Sequence, residues 1–226
     1  MSRVAVDIER EYGPFPEQDA VHGVTFDGER IWFATGKDLK AVDPESGAIT
    51  RALDIQSEAG VAFDGKHLFQ LAGGVIRRID PQTGRVLSSI PAPKPSGNSG
   101  LAWAEGSLWL GRGGDREILE LDPKTGKVLR AIASDRFVTG VSFSDGELWH
   151  ATLLDYDPEH DRSQLRRVDR DTGEVLECLE LPAGVGVSGL EADGTGRFYC
   201  GGGKTGKVRV VKRPSPARGR RSKTAE

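Results

Sequence analysis

Cysteine occurs only twice in 226 residues, at Cys178 and Cys200, and nothing in the sequence marks the two as a pair. That excludes a disulfide framework. No stretch approaches the roughly 18 uninterrupted apolar residues of a membrane helix. The opening MSRVAVDIEREYGPF is charged and alternating, so it does not read as a signal peptide. Helix-period patterning is missing too. A cytoplasmic, monomeric protein off the membrane is therefore expected. Excess positive charge is also lacking. The net charge is −3, and the last fourteen residues carry five cations (Arg213, Arg218, Arg220, Arg221, Lys223) against Glu226, which leaves the body at −7. An acidic body offers no general attraction to nucleic acid, so no specific nucleic-acid partner is expected. Residues 214–226, almost free of apolar side chains, are expected to form a disordered basic tail, solvated or weakly anchored to RNA or anionic lipid.

What is present is a repeat. VHGVTFDGERIWFA begins at Val21, EAGVAFDGKHLFQL at Glu58, NSGLAWAEGSLWLG at Asn98, VTGVSFSDGELWHA at Val138 and VSGLEADGTGRFYC at Val187. Their anchoring glycines, Gly23, Gly60, Gly100, Gly140 and Gly189, stand 37, 40, 40 and 49 residues apart. An aromatic follows nine residues later in four units (Trp32, Phe69, Trp109, Trp149) and ten later in the fifth (Tyr199).

Each unit reads as a four-stranded meander. Turns such as Asp27-Gly28 and Asp145-Gly146 join the first two strands, because glycine accepts the positive φ of a tight hairpin. The third strand runs into DPESG, DPQTG, DPKTG or DRDTG, starting at Asp43, Asp80, Asp122 and Asp169. Turn chemistry explains these aspartates without catalysis: Asp accepts backbone hydrogen bonds, Pro presets φ, and Gly takes the left-handed position. The fifth unit lacks its fourth strand, and RVAVDIER (Arg3 to Arg10) fits the missing pattern. The expectation is an all-β fold: a five-bladed β-propeller of four-stranded antiparallel blades, its ring closed by the N-terminal strand. The domain would span 1–213, with blades near 21–57, 58–97, 98–136, 137–184 and 185–212 plus strand 3–10.

In a meander blade the first strand starts, and the second ends, on one face. Those ends place His22, Glu58, Ala59, Asn98, Ser99, Thr139 and Ser188, with Thr35, Gln70, Arg112, His150, Thr152 and Cys200, around one mouth of the central channel. The mixture suits a small polar ligand, although a plain water-filled mouth explains it equally. Glu58, the only carboxylate at a first-strand start, is the candidate general acid or base, or else a solvated rim charge. His22, Gln70, Asn98, Arg112 and His150 are the candidate ligand-binding residues. The histidines read first as hydrogen-bonded rim residues, Cys200 reads as a small buried apolar group, and Asn98, the only asparagine, opens a glycine-rich loop.

No cofactor or metal is expected. His22 and His150 with Glu58 or Cys200 contain metal-ligand types but no ligand spacing. GGGKTGKV (Gly201 to Val208) imitates a phosphate loop, yet Val208 stands where Ser or Thr would bind Mg²⁺ and no helix follows, so a hairpin is expected. DYDPEHD (Asp155 to Asp161) is acidic but lacks the glycine and closing glutamate of a Ca²⁺ loop, and its place between strands two and three makes it a candidate flap over the mouth.

The succession GVTFDGERIWFATG, EAGVAFDGKHLFQLAGG, SGLAWAEGSLWLGRGG with LELDPKTGKVLRAI, and SDGELWHATLL with RRVDRDTGEVLECLELP resembles the glutamine cyclotransferase family of five-bladed propellers, over roughly residues 21 to 182. The resemblance implies attack of an N-terminal glutamine's amine on its own carboxamide, giving pyroglutamate and ammonia. It also implies a carboxylate to move protons and donors to hold the amide oxygen. Departures are Ala59 where the family has Glu, with Glu58 one place earlier; Leu71, Ala72 and Gly73 where it has LTW, after a matching Gln70; and Thr139, Gly140, Val141 and Ser142 where it has Asn-Glu-x-Glu. VHGVTFDGERIWFA is also similar to a repeat of the streptogramin lyases. Three functions remain open: a cyclotransferase-like propeller, active or degenerate, taking a small polar ligand or peptide N terminus; a non-catalytic peptide- or protein-binding propeller; and a metal-assisted lyase or lactonase.

Overall fold

Period-two patterning cut by Asp-Gly and Asp-Pro turns makes short strands, and no helix occurs among the described residues. The computed structural model describes residues 1–16, 18, 20–153 and 163–214. The chain opens with β1 (Ser2–Ala5) and β2 (Ile8–Tyr12). Blade 1 comprises β3 (Val24–Phe26), β4 (Ile31–Ala34), β5 (Leu39–Val42) and β6 (Ile49–Leu53). Blade 2 comprises β7 (Val61–Phe63), β8 (Leu68–Ala72), β9 (Val75–Ile79) and β10 (Val86–Pro91). Blade 3 comprises β11 (Asn98–Ala104), β12 (Ser107–Arg112), β13 (Glu117–Leu121) and β14 (Val128–Ala133). Blade 4 comprises β15 (Phe137–Ser144), β16 (Glu147–Leu153), β17 (Gln164–Val168) and β18 (Val175–Glu180). Blade 5 has β19 (Gly189–Ala192), β20 (Arg197–Gly201) and β21 (Val208–Lys212). Its fourth strand is β2, antiparallel to β21, with Tyr12 opposite Val208 and Ile8 opposite Val211. The molecule is a five-bladed β-propeller closed by its N-terminal strand.

The closing strand differs in detail from the expected Arg3 to Arg10. Only Ile8–Tyr12 closes the ring; Ser2–Ala5 pairs in parallel with β18, Ser2 opposite Glu177 and Ala5 opposite Glu180. Alternation fits either edge, and β18 offers unpaired backbone groups that β1 satisfies. Arg10 shows that β2 occupies a true fourth-strand position. Its Nη1 donates to Pro44 O at 2.7 Å on the turn of the following blade, as Arg130 Nη1 on β14 donates to Arg170 O at 3.2 Å. Arg51 on β6 likewise reaches Gln82 O.

The four Asp-initiated turns behave alike. Gly47 N donates to Asp43 O at 2.8 Å, and Gly84, Gly126 and Gly173 donate to Asp80, Asp122 and Asp169 at 2.9 Å. Backbone N–H groups two and three residues on donate to each carboxylate. Hydrogen bonds from the turn hold all four below the usual aspartate range.

The repeat's glycines sit where the inner strands converge. A Cβ on Gly100 would lie 2.6 Å from Gly140 Cα, and one on Gly189 2.8 Å from Gly23 Cα, so each blade's glycine meets the next blade's backbone in a closed circle. Further out, aromatics fill the wedges between blades. Phe69 stacks on Trp103 at 5.4 Å, Trp109 meets Phe143 at 5.0 Å, and Tyr199 meets Phe26 at 5.3 Å. Such rings each contribute about 2–3 kcal/mol of burial. Blade 5 has Ala192 where the others have Phe26, Phe63, Trp103 and Phe143. There Trp149 meets Phe198 at 4.9 Å, and the Arg213 guanidinium lies 4.8 Å from its ring centre.

Candidate functional site

First-strand starts from all five blades converge on a cavity of about 520 Å³ over one end of the channel. His22, Glu58 and Asn98 line it, as do Ala59, Ser99, Thr139 and Ser188. The remaining candidates do not. Gln70, Arg112 and His150 are buried and absent from the lining. Side chains alternate along a strand, and in a propeller both sheet faces pack on neighbouring blades. The residue after each blade aromatic therefore turns toward the preceding blade, as Phe33 does toward Tyr199 and Val208, and Leu110 toward Phe69. Gln70, His150 and Cys200 occupy that same position.

Burial explains their chemistry. Gln70 Nε2 donates to Leu71 O at 2.7 Å, while its Oε1 has no partner. Burial first, then the nearby Arg166 cation, pushes His150 down to about 3, so the imidazole is neutral; its Nδ1 has no partner. Cys200 is buried and its thiol pushed up to about 12, and burial likewise raises Cys178, so both are inert. Arg112 Nε donates to Asp115 at 2.8 Å and lies 3.1 Å from Glu117, while its Nη1 donates to Asn98 Oδ1 at 2.9 Å. Asn98 Nδ2 in turn donates to Lys94 O at 2.8 Å. The pair thus shapes the cavity wall from behind, with Asn98 closing its own loop.

His22 is partly buried, which lowers its imidazole below the ordinary value and leaves it neutral near pH 7. Its position is set from blade 5, where Ser188 Oγ donates to Val21 O at 2.6 Å and lies 3.0 Å from His22 O. Glu58 is exposed. Its Oε2 accepts from Gly73 N at 2.9 Å, its Oε1 from Gln56 Nε2, and no cation pairs with it among the described residues. GGGKTGKV is a hairpin joining β20 to β21, tied to blade 1 by Val21 opposite Gly203, and its Lys204 and Thr205 line the cavity. The acidic run 155–161 lies outside the described residues, as does the tail from 215 onward. Among the described residues no three His, Cys, Asp or Glu side chains are placed to share a metal ion.

Sequence reasoning passed over three residues. Thr139 reached only the rim inventory, although its Oγ1 lacks a partner. Lys204 was absorbed into the false phosphate loop. Glu191, two residues past Gly189, stands where the other blades carry Thr25, Ala62, Ala102 and Ser142. It accepts from Thr25 Oγ1 at 2.7 Å and Ser142 Oγ at 3.0 Å, and burial of its carboxylate, only partly offset by these bonds, pushes it up to about 7. Aligning the five units would have shown Glu191 as the odd member.

The family model described as outer membrane protein assembly factor BamB matches residues 72–177, under half of the chain. No curated protein matches. Among solved structures the chain is similar to glutaminyl cyclase of Myxococcus xanthus, with TM-score 0.73 and 18% identity over 93% of this chain and 97% of that one. It is also similar to the Cps50 (Swd1) beta-propeller domain of Myceliophteria thermophila, with TM-score 0.55 and 14% identity over 92% of this chain and 100% of that one. At these identities the likeness is one of fold.

Proposed function

We propose that this is a glutamine-cyclotransferase-like propeller that takes a peptide N terminus or other small polar ligand in the cavity, with Glu58 facing the ligand's amine. One observation carries the reading: among the described residues Glu58 is the only carboxylate lining the cavity, and none of their cations pairs with it. A carboxylate so placed attracts an ammonium group. It also suits the proton movement of cyclisation, in which the amine nitrogen attacks the side-chain carbonyl carbon and ammonia leaves. Glu58 would take the proton released by the attacking amine and return it to the departing nitrogen. Arg112, withdrawn by Asp115 and Glu117, is not available to hold the amide oxygen; among the described residues His22 and Lys204 are the uncommitted side-chain donors lining the cavity. The fold shared with the Myxococcus xanthus glutaminyl cyclase supports this reading.

The test adds Gln-initiated peptides to the purified protein, reads binding by NMR shift perturbation, and scores ammonia loss by mass spectrometry. Binding that vanishes on N-acetylation and in Glu58→Gln is expected, and ammonia loss would identify the active form. Binding indifferent to both changes sinks the proposal.

A further inference from the structure

The polar side chains lining the cavity fall into two groups. Asn98 is held by Lys94 O and Arg112, Ser99 Oγ by Val138 O at 2.6 Å, Ser188 by Val21 O, and Thr205 Oγ1 by Gly202 O at 2.8 Å. Those four build the walls. Lys204 and His22 are uncommitted, and Glu58 accepts only from the neutral donors Gly73 N and Gln56 Nε2. Among the described residues Glu58 has no cation, and neither the Lys204 ammonium nor the His22 ring has a hydrogen-bond or ion-pair partner.

The freedom of Lys204 contrasts with its surroundings. Lys207, three residues along the same hairpin, lies 2.6 Å from Glu11, and Arg209 lies 2.8 Å from the same carboxylate. Elsewhere some exposed cations pair, as Lys94 does with Asp115 at 2.9 Å, while Lys66, Lys124 and Lys127 have no ion pair among the described residues; Lys204 differs from these in lining the cavity. Among the described residues the cavity thus carries one unpaired charge of each sign. They stand on blades 2 and 5, on either side of blade 1 with its neutral His22. Phe137, Val138, Leu153 and Val187 add apolar side chains to the lining, and about 520 Å³ falls within the usual ligand-pocket range of about 300–1,000 Å³.

We infer that the cavity takes a short peptide free at both ends, its ammonium on Glu58 and its terminal carboxylate on Lys204. This rests on the proposed role of Glu58 and adds a carboxylate subsite to it. Two opposite charges lining one cavity discriminate by charge pattern, because a ligand lacking either end leaves one of them unanswered. His22, on the blade between the two charges, is the group that would hydrogen-bond the peptide group between the ends, and the apolar side chains receive a side chain.

The test uses Gln-Leu as the free dipeptide, as N-acetyl-Gln-Leu and as Gln-Leu-amide, titrated into the wild type, Glu58→Gln and Lys204→Ala by NMR at low ionic strength. Lys204 is exposed, so Lys204→Ala is expected to melt as the wild type does. Wild type should bind the free dipeptide at least about tenfold more tightly than the amide, the weight of one charge-assisted hydrogen bond. In Lys204→Ala the free and amidated forms should bind alike. Equal binding of free dipeptide and amide by wild type overturns the carboxylate subsite and leaves the role of Glu58 standing. Equal binding of the acetylated form overturns that role as well. No binding of any form by wild type overturns both.

Discussion

Thr25 Oγ1 donates to Glu191 Oε2 at 2.7 Å, across the junction where the first and fifth blades meet. Ser142 Oγ of blade 4 lies 3.0 Å from the other oxygen, so one carboxyl group bridges three blades beside the ring's closure. Burial raises the folded-state value from 4.5 to about 7. The protonated form is therefore favoured by folding. Its stabilising contribution is full below 4.5 and is lost as pH rises toward 7. Glu191→Gln keeps the size and a donor-acceptor group without the titration. Relative to wild type, the variant is expected to gain about 2–3 kcal/mol between pH 4.5 and 7.5, read by urea denaturation. A constant difference across that range would show that the carboxyl is not desolvated.

His150 carries the opposite dependence. Burial lowers it from 6.5 to about 3, so the unfolded chain takes up a proton that the fold refuses. Its contribution is present above 6.5 and is lost as pH falls toward 3. His150→Gln should therefore lose less stability than wild type on acidification, with the difference growing steadily below pH 6. Thermal melts of both proteins across pH 4 to 7 check this.

Gly100→Ala tests the circle of glycines. The added methyl would sit 2.6 Å from both Gly140 Cα and Val141 N, backbone atoms that cannot rotate aside. The expected cost is about 3 kcal/mol, the upper end for overpacking, with a lower denaturation midpoint and an unchanged slope.

The two N-terminal strands should separate by truncation. Deleting residues 1–5 removes β1 from the edge of β18, where all four strand residues are exposed, and should lower stability by no more than about 2 kcal/mol. Deleting residues 1–12 also removes β2, with the buried Tyr12 and its hydrogen bond to Pro44 O at 2.9 Å. That protein should lose its single cooperative unfolding transition, as calorimetry would show.

The blades and their closure were legible because they are local. Glycine at a fixed offset from an aromatic, Asp-Gly hairpins and Asp-initiated turns each state a backbone requirement within a few residues. The count of five, the in-phase aromatics and the missing fourth strand follow from reading them in order. Which part of the N-terminal segment closes the ring was not legible. RVAVDIEREY alternates throughout, and only competition between two edges assigns Ser2–Ala5 to β18 and Ile8–Tyr12 to β21.

The site divides in the same way. The sequence alone placed His22, Glu58 and Asn98 at first-strand starts, because a strand end stays at the mouth whichever way its side chains alternate. The fate of Gln70, Arg112 and His150 was a tertiary matter. Each lies within a strand, and whether such a side chain meets solvent or a neighbouring blade depends on what is stacked against that face. Lys204 is the converse: unremarkable in a turn, it becomes a candidate binding group because folding leaves it at the cavity with no ion-pair partner among the described residues, while Glu11 takes Lys207 and Arg209. Local pattern determines where strands and turns fall. Which charges remain unpaired is decided by distances between residues far apart in the chain, and those exist only in the folded ring.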